Sequence, residues 1–577
     1  MVFPQRRTVN LRLRLVAVGF GVLSLWIGAR LFYLQIIRHD YYVSLAARAQ
    51  EVARPVRPHR GAIYLQDTRS GELFPAAVNK EWDTVYAVPQ EIPAGKEEAT
   101  VRQLAAALAG LTPERAQKLQ EKFADKNLRY YVVARKVPAE AVERLKTAAL
   151  AGLAFAKEEH RFYPEGELAA PVLGFVGETE NGEPWGQYGL EGYWDKTLAG
   201  RVGFKAGARG ALGNLIPQAG GESVPAEDGA DLILTIDRNL QFKACARLAE
   251  GLKEYQAKGA ALVLLDVPTG AIRAMCSLPA FNPNEYSRVD TIDVFNNRTV
   301  FTPFEPGSVF KAITMAAGLD LGLIKSETTF VDPCQRVING HRIRNADGKC
   351  YGRQTMTQVL EQSINTGAVW VQEQIGNERF GDYVRRFGFG KKSGITLDTE
   401  SAGDVSSLNK PGHIFGANAS FGQGFTATPL QLALAFGALA NEGRLLQPQI
   451  ISEARYPGGR REKTTPDELE RVVSPAAAQA TLGMLTAVVE NHYRRARIPH
   501  YYVAGKTGTA QIAERGRYSA TRTNHTFIGL APADRAQLVL LVKYEEPARR
   551  WAEQTALPVF RDVMEFALNY YGIPGTR

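Results

Sequence analysis

Ser308 and Lys311 stand one helical turn apart in the string that runs from Glu305 to Lys311. Residues at i and i+3 share a helix face, and the Pro-Gly pair just upstream is typical of the approach to a helix. An amine held beside a hydroxyl can take its proton and turn it into a nucleophile. The spacing therefore predicts a serine nucleophile with a lysine base, although a lone copy of this string also occurs on solvated helix faces.

Two further strings follow the first along the chain, and the three together are much stronger evidence for an active site than the first string alone. The string Ser363-Ile364-Asn365 lies between two apolar-periodic stretches, and Lys506 to Thr509 precedes a short run that is typical of a strand. Taken singly, they would be interpreted as a helix cap and a turn. Together with Ser308 and Lys311 they form the motif trio of penicillin-binding proteins and class A β-lactamases.

With this trio the chain resembles the class B high-molecular-mass penicillin-binding proteins, which are serine transpeptidases. The strings 281–283, 422–424 and 428–432 add to the resemblance, which is specific in the second half and looser in the first. Asp67 lies further from Ile63 than the family's Arg-Gly-x-Ile-x-Asp pattern would place it, so no role is carried over to it. The resemblance implies an α+β chain: a membrane helix, an elongated pedestal, and a β-lactamase-like transpeptidase domain with an antiparallel sheet flanked by helices.

The reaction implied by the resemblance is acyl transfer from the D-alanyl-D-alanine end of a peptidoglycan stem peptide to an acceptor amine. Ser308 would attack, Lys311 would act as base, and Ser363 would pass a proton to the leaving amine. A lysine ordinarily titrates near ~10.4, so burial and the nearby Lys506 must lower the pKa of Lys311. The substrate would be held by Lys506 and by Asn365, Thr507, Gly508 and Thr509, with backbone N–H groups of Ser308 and Thr509 as the oxyanion hole.

Features of the sequence distinguish the transpeptidase from several alternative functions. A class A β-lactamase needs a Glu-x-x-Leu-Asn string between Asn365 and Lys506, and none is present. A carboxypeptidase usually lacks an anchor joined to a long pedestal, and no glycosyltransferase signature precedes residue 221. The second and third motifs resemble those of division-type enzymes more than those of elongation-type enzymes. Two hypotheses stay open: an elongation-type transpeptidase, and an envelope scaffold that activates a glycan polymerase.

The N-terminal segment predicts a membrane anchor. Leu15 to Ile37 is a run of 23 residues with one charge, Arg30, long enough to cross a hydrocarbon layer of ~30 Å as a helix. Several arginines and no acidic residue precede it, which predicts a cytoplasmic N-terminus and a catalytic domain outside the bacterial inner membrane. A cleaved signal peptide is the alternative, but no small-residue cleavage pattern follows the run.

Length, charge and cysteine content limit the kinds of molecule that this chain is expected to bind. The 577 residues exceed one ordinary domain, and the net charge of +9 is spread thinly instead of forming the dense basic stripe of a nucleic-acid-binding protein. The resemblance implies stem peptides as substrate, β-lactams as covalent inhibitors, and a membrane-embedded glycan polymerase and divisome proteins as partners. No metal or organic cofactor is implied, because the four cysteines lack the spacing of a zinc site.

The pattern along the chain predicts four segments: a basic segment at 1–14, the anchor at 15–37, a pedestal at 38–225 and the transpeptidase domain at 226–577. A Gly-rich break at 218–223 marks the last boundary, and strand patterns before and after a helical middle predict the antiparallel sheet. Cys334 and Cys350 flank a polar stretch and are interpreted either as a disulfide or as two free thiols. Cys245 and Cys276 are interpreted as small core residues.

Overall fold

The computed structural model describes residues 6–38, 54–108, 110–179, 182–205, 208–209, 215–216, 224–514 and 517–577. These fall into two compact units, one drawn from residues 1–59 and 200–229 and the other from residues 60–199 and 230–577. The Gly-rich break predicted at 218–223 and residues 1–5 of the basic segment lie outside the described residues.

The first unit contains the predicted anchor. A helix runs from Arg6 to Phe32 and continues as a π-helical turn from Tyr33 to Ile37. Residues Arg14–Ile37 have a mean hydropathy of 1.9, and none of the span is buried. A helix that is apolar on all sides and unpacked is suited to lipid. It is the one helix of the described residues that is long and apolar enough to cross a membrane, as a single-pass protein requires.

The second unit is built around a five-stranded sheet in which all neighbouring strands are antiparallel. In this sheet the strands that come first along the chain pair with those that come last. The sheet therefore joins the beginning and the end of the second half of the chain. Its strands, in spatial order, are Ile272–Leu278, Gly259–Asp266, Leu538–Glu545, Arg517–Ala531 and Ala504–Glu514. The last of these, the edge strand, has a strand neighbour on one side only among the residues that the structure describes.

Helices cover both faces of this sheet, which is why its central strands are apolar on both sides. The C-terminal helix Ala556–Tyr571 packs on one face, where the rings of Phe560 and Phe527 are 4.6 Å apart. The helix Pro429–Ala440 packs on the other face, so closely that a Cβ at Gly437 would lie 2.8 Å from Leu265 Cδ2. The predicted antiparallel sheet with flanking helices is confirmed.

A second, seven-stranded sheet joins the N-terminal and C-terminal parts of this unit. Its strands are Arg461–Lys463, Ile451–Arg455, Asp231–Asp237, Ile63–Gln66, Leu73–Ala87 and Tyr131–Val137 in order, with Leu153–Phe162 also paired to Leu73–Ala87. One pair, Ile63–Gln66 with Asp231–Asp237, is parallel. At the other end of this sheet, the strand Leu73–Ala87 and the helices that follow it enclose a small separate core. This core includes Val85, Leu104 and Phe123.

The remaining elements are mostly short. Further helices are Glu97–Ala107, Pro113–Ala124, Ala139–Thr147, Ala170–Leu173, Gly189–Tyr193, Asp195–Ala199, Arg238–Glu254, Lys311–Asp320, Met356–Glu361, Asn365–Ile375, Asn377–Arg386, His413–Ser420 and Pro475–Ala487. Further strands are Arg54–Val56, Phe175–Glu178, Pro184–Gln187, Gly203–Lys205, Ala208–Arg209, Leu215–Ile216, Thr329–Val331, Gln335–Ile338, His341–Arg344, Arg353–Thr355, Arg444–Leu446 and Glu468–Arg471.

A buried ion-pair network holds the first part of the second unit together. Glu191 has no exposed surface, and its carboxylate receives hydrogen bonds from Arg60 at 2.8 Å and from Arg161 at 2.6 Å. Arg60 also donates to Asp195 at 2.8 Å. Burial by itself would raise the pKa of the Glu191 carboxyl. The charges and hydrogen bonds of Arg161 and Arg60 together outweigh this effect, so the pKa lies below its ordinary value. The network therefore has a structural role.

Replacing Glu191 with glutamine is expected to lower the free energy of unfolding by about 3–5 kcal/mol, because the buried Arg161 loses its counter-charge and Arg60 loses one of its two carboxylate partners. Urea unfolding followed by tryptophan fluorescence measures this change. Glu98→Gln is the matched control, since its pair with Arg102 is exposed and should contribute less than about 0.5 kcal/mol. Equal effects of the two substitutions would contradict a structural role for the network.

All four cysteines are paired in disulfides, one that was not predicted and one that was left open. Cys245 and Cys276, interpreted as small core residues, form a disulfide between the helix Arg238–Glu254 and a strand of the five-stranded sheet. They are 31 residues apart in sequence, and only the packing of that helix on the sheet brings them together. Cys334 and Cys350 are also disulfide-bonded. Two disulfides suit a chain that folds in an oxidising compartment.

Candidate active site

Ser308 lies in a short 3₁₀ turn, Gly307–Phe310, that leads directly into the helix Lys311–Asp320. The predicted shared helix is therefore a turn followed by a helix, and the one-turn spacing still brings the two side chains together. Gly307 has φ +61°, a conformation that glycine adopts without strain. Its N–H donates to the carbonyl of Gly422 at 2.9 Å, which anchors the turn.

Lys311 is the hub of the site. Its side-chain nitrogen, Nζ, lies 3.1 Å from Ser308 Oγ and 3.1 Å from Ser363 Oγ, and it also donates to the Ser363 carbonyl. The side chain has no exposed surface. Burial, and after it the charge of Lys506, lower the pKa of Lys311 well below its ordinary value. A neutral amine beside a serine hydroxyl is the arrangement that a serine nucleophile needs.

Ser363 holds an unusual backbone conformation. It lies between the helices Met356–Glu361 and Asn365–Ile375 with φ +55°, which costs a non-glycine residue roughly 1–2 kcal/mol. This conformation aims both its carbonyl and its hydroxyl at Lys311. Backbone strain that positions polar atoms in this way is characteristic of functional sites.

Lys506 approaches the same hydroxyl from the edge strand. Its ammonium nitrogen lies 3.1 Å from Ser363 Oγ, and its side chain is fully buried. Burial lowers the pKa of Lys506 to about 7. The strand begins at Ala504, before the third motif instead of after it. The motif therefore lies within the strand, beside the open edge of the sheet.

Gly508 is the point where the edge strand meets the turn that carries Ser308. A Cβ at this position would lie 2.9 Å from the Pro306 carbonyl oxygen and 3.1 Å from Val309 Cγ1. Real Cβ atoms do not approach backbone oxygen so closely, so the missing side chain lets the strand pack against the turn. A larger residue here would push the third motif away from the nucleophile.

Asn365 is oriented by its own hydrogen bonds. Its side-chain amide donates to the Arg344 carbonyl at 2.8 Å, and its backbone N–H donates to Asn345 Oδ1 at 3.0 Å. Because Nδ2 donates to the Arg344 carbonyl, Oδ1 points the other way and can accept a hydrogen bond from a ligand N–H. Asn345 is itself held by the buried carboxylate of Asp332, which also accepts from the Thr366 hydroxyl at 2.7 Å. Sequence reasoning did not single out Asn345 or Asp332.

The threonines of the third motif have fixed neighbours. Thr507 Oγ1 lies 2.7 Å from the phenol oxygen of Tyr493, and Thr509 Oγ1 accepts a hydrogen bond from the backbone N–H of Ala552 at 3.2 Å. Sequence reasoning missed Tyr493 as well, because no motif includes it. The structure thus links Ser308, Lys311, Ser363 and Lys506 in one hydrogen-bonded chain, with the other predicted site residues on the elements beside it.

Comparisons with known proteins agree with this architecture. The model of the penicillin-binding protein transpeptidase domain matches residues 260–565, and that of the penicillin-binding protein dimerisation domain matches residues 55–234. Among curated relatives, stage V sporulation protein D of Bacillus subtilis is 32% identical over 98% of this chain and 86% of its own length. The probable peptidoglycan D,D-transpeptidase PbpC of Pseudomonas aeruginosa is 32% identical over 99% of this chain and 96% of its own length.

Solved structures give the same result. Penicillin-binding protein 3 of Mycobacterium tuberculosis, crystallised with aztreonam, superposes with a TM-score of 0.68 at 26% identity, covering 91% of this chain and 98% of that one. A peptidoglycan synthetase of Bifidobacterium adolescentis superposes with a TM-score of 0.71 at 26% identity, covering 92% and 98%. With the motif trio assembled around Lys311 and both family domains present, the chain belongs to the class B penicillin-binding proteins.

Proposed function

We propose that this protein is a peptidoglycan D,D-transpeptidase that cross-links stem peptides through an acyl-enzyme on Ser308. The observation that carries the proposal is the position of the Lys311 amine, 3.1 Å from both Ser308 Oγ and Ser363 Oγ in a fully buried setting. Chains of this family use a serine acyltransferase domain of the same kind.

In the acylation step, neutral Lys311 accepts the Ser308 proton as Oγ attacks the carbonyl of the D-alanyl-D-alanine bond. The oxyanion is stabilised by the backbone N–H groups of Ser308 and Thr509, where loss of one donor typically costs ~10²–10³ in rate. Collapse breaks the C–N bond, and the proton passes from Lys311 through the Ser363 hydroxyl to the leaving amine. Free D-alanine departs, and the stem peptide remains as an ester on Ser308.

Substrate binding follows from the charges beside the edge strand. The Lys506 ammonium and the hydroxyls of Thr507 and Thr509 hold the terminal carboxylate, and Asn365 Oδ1 accepts an N–H of the donor peptide. An extended peptide can add as a further strand to the open edge. Gly508 lets the edge strand pack against the turn that carries the nucleophile, so a peptide on this edge would lie beside that serine.

The second half-reaction transfers the acyl group to an amine of another stem peptide. The amine nitrogen attacks the ester, the bond to Ser308 Oγ breaks, and the serine regains a proton. A β-lactam would enter by the same first step and stay attached, because its ring-opened acyl group keeps the amine-binding position filled.

The direct test supplies a stem pentapeptide donor and a D-amino acid acceptor to the detergent-solubilised full chain. Release of one D-alanine for each acceptor exchanged would support transpeptidation. Release of D-alanine with hydrolysis alone would favour a carboxypeptidase, and no release would contradict the proposal. Ser308→Ala serves as the blank.

We also propose the division of the chain made above: a basic segment at 1–14, an anchor at 15–37, a pedestal at 38–225 and the transpeptidase domain at 226–577. The arginines before the anchor support a cytoplasmic N-terminus with the catalytic domain outside the membrane. The second and third motifs support a role in septal wall synthesis beside a membrane-embedded glycan polymerase and divisome proteins. Midcell localisation of a fluorescent fusion, with filamentation on depletion, would support this role, and dispersed localisation with rounded cells would favour elongation.

A further inference from the structure

Tyr493 contacts two side chains of the third motif at once. It is buried, and it joins a π-helical turn, Val488–His492, to a 3₁₀ turn that precedes the edge strand. Its phenol oxygen lies 2.7 Å from Thr507 Oγ1, and its ring centroid lies 5.6 Å from the Lys506 ammonium nitrogen. One side chain therefore lies against both the hydroxyl and the ammonium that would receive a carboxylate.

The hydrogen-bonding capacity of Thr507 decides what Tyr493 does when a ligand binds. A hydroxyl has one proton, and an ionised carboxylate can only accept. In this structure the Thr507 hydroxyl donates to the Tyr493 phenol oxygen. For Thr507 to donate to a carboxylate instead, this hydrogen bond must reverse, so that Tyr493 donates and Thr507 accepts. The phenol can serve as that donor at neutral pH, because burial raises the pKa of Tyr493 to about 12.

Thr509 has a matching arrangement. The backbone N–H of Ala552 donates to Thr509 Oγ1 at 3.2 Å, so this hydroxyl already accepts from the protein and keeps its proton for a ligand. The two threonines thus use different partners for the same purpose. The partner of Thr509 is a backbone group that side-chain changes cannot remove, whereas the partner of Thr507 is a side chain.

We propose that Tyr493 is a positioning residue for the donor peptide: when a carboxylate binds, the hydrogen bond reverses, the phenol donates to Thr507, and the Thr507 hydroxyl donates to the terminal carboxylate. The inference rests on the proposed function and assigns it a further determinant of specificity. Tyr493 acts through Thr507 and touches no reacting atom, so its removal should affect recognition of the carboxylate and not the chemistry at the carbonyl.

The test compares acylation of the solubilised full chain by benzylpenicillin and by its methyl ester, using time courses of intact mass. Tyr493→Phe keeps the ring and removes the hydroxyl. It is expected to slow acylation by the acid about three- to tenfold, the equivalent of one net hydrogen bond. The rate with the ester should change by less than about twofold, because the ester lacks the ionised carboxylate whose binding the hydrogen bond supports. Tyr383→Phe, which loses a hydrogen bond to Asp320, is the matched control and should change neither rate.

A double-mutant cycle separates positioning from packing. In a Thr507→Val background, Tyr493→Phe should have no further effect, and in a Thr507→Ser background its effect should persist. Equal losses with acid and ester, no loss with either, or a full Tyr493→Phe effect in the Thr507→Val background would overturn the inference and leave the proposed function standing. Failure of the native chain to react with penicillin would overturn both.

Discussion

Replacing Ser308 with alanine is expected to abolish covalent labelling by penicillin. The native chain should gain the mass of one penicillin, because the attacking hydroxyl lies 3.1 Å from a buried amine able to take its proton. The variant keeps that amine but has no nucleophile, so labelling should fall by at least roughly 10³-fold. Intact mass spectrometry of the detergent-solubilised chains measures both the extent and the site of labelling.

Ser363→Ala is the informative control for this experiment. It removes a hydroxyl from the same hydrogen-bonded chain but leaves Ser308 in place, so an adduct should still form, more slowly. An adduct on Ser308→Ala at the native rate would exclude Ser308 as the nucleophile. An adduct on the native chain that is rapidly released as penicilloate would instead indicate a β-lactamase.

Replacing Lys311 with methionine is expected to slow acylation by about 10²–10⁴-fold, the usual contribution of a general base. Methionine fills similar space, so the burial around the site should be preserved. Stopped-flow measurement with a chromogenic cephalosporin gives the rate. Lys325→Met changes an exposed lysine that, within the part of the chain that the structure describes, makes no hydrogen bond to the site residues and should stay within about twofold of the native rate. A rate for Lys311→Met within the same range would contradict the assignment of the base.

The pH dependence gives a second readout for the two lysines. Lys311 must be neutral to accept a proton, so the acylation rate should rise with pH through its lowered pKa. Lys506 must be charged to bind a carboxylate, so the rate should fall again as pH rises past about 7 in the free protein. The result is a bell-shaped profile. Lys506→Arg, whose side chain stays charged, should lose the falling limb, and a falling limb that persists in this variant would exclude Lys506 as its source.

The chemistry of the site could be read from local strings. Ser308 with Lys311, Ser363 with Asn365, and Lys506 through Thr509 each combine residues that lie close in sequence, and the reactivity of each is a property of its side chains. The C-terminal helix Ala556–Tyr571 was predictable for a related reason, since its apolar spacing is a local signal.

The contacts that assemble the site could not be read in this way. Tyr493 meets Thr507 only because a π-helical turn returns the chain to the edge strand, and no local pattern marks a tyrosine for that position. Cys245 was interpreted only as a small core residue, because its disulfide partner Cys276 lies 31 residues away on a strand and no local pattern links the two. The φ of +55° at Ser363 is likewise imposed by the helices on either side of it and not by serine's own preference.

By itself, then, the sequence determined which groups are available: a nucleophilic serine, two lysines, an amide and two hydroxyls, on a chain with an apolar N-terminal helix. Tertiary structure alone decided their protonation and direction. The pKa of Lys311 falls because packing removes water and brings Lys506 close, and Asn365 presents its oxygen because Arg344 takes its amide. Reactivity depends on such distances and burial, which arise between segments far apart in sequence.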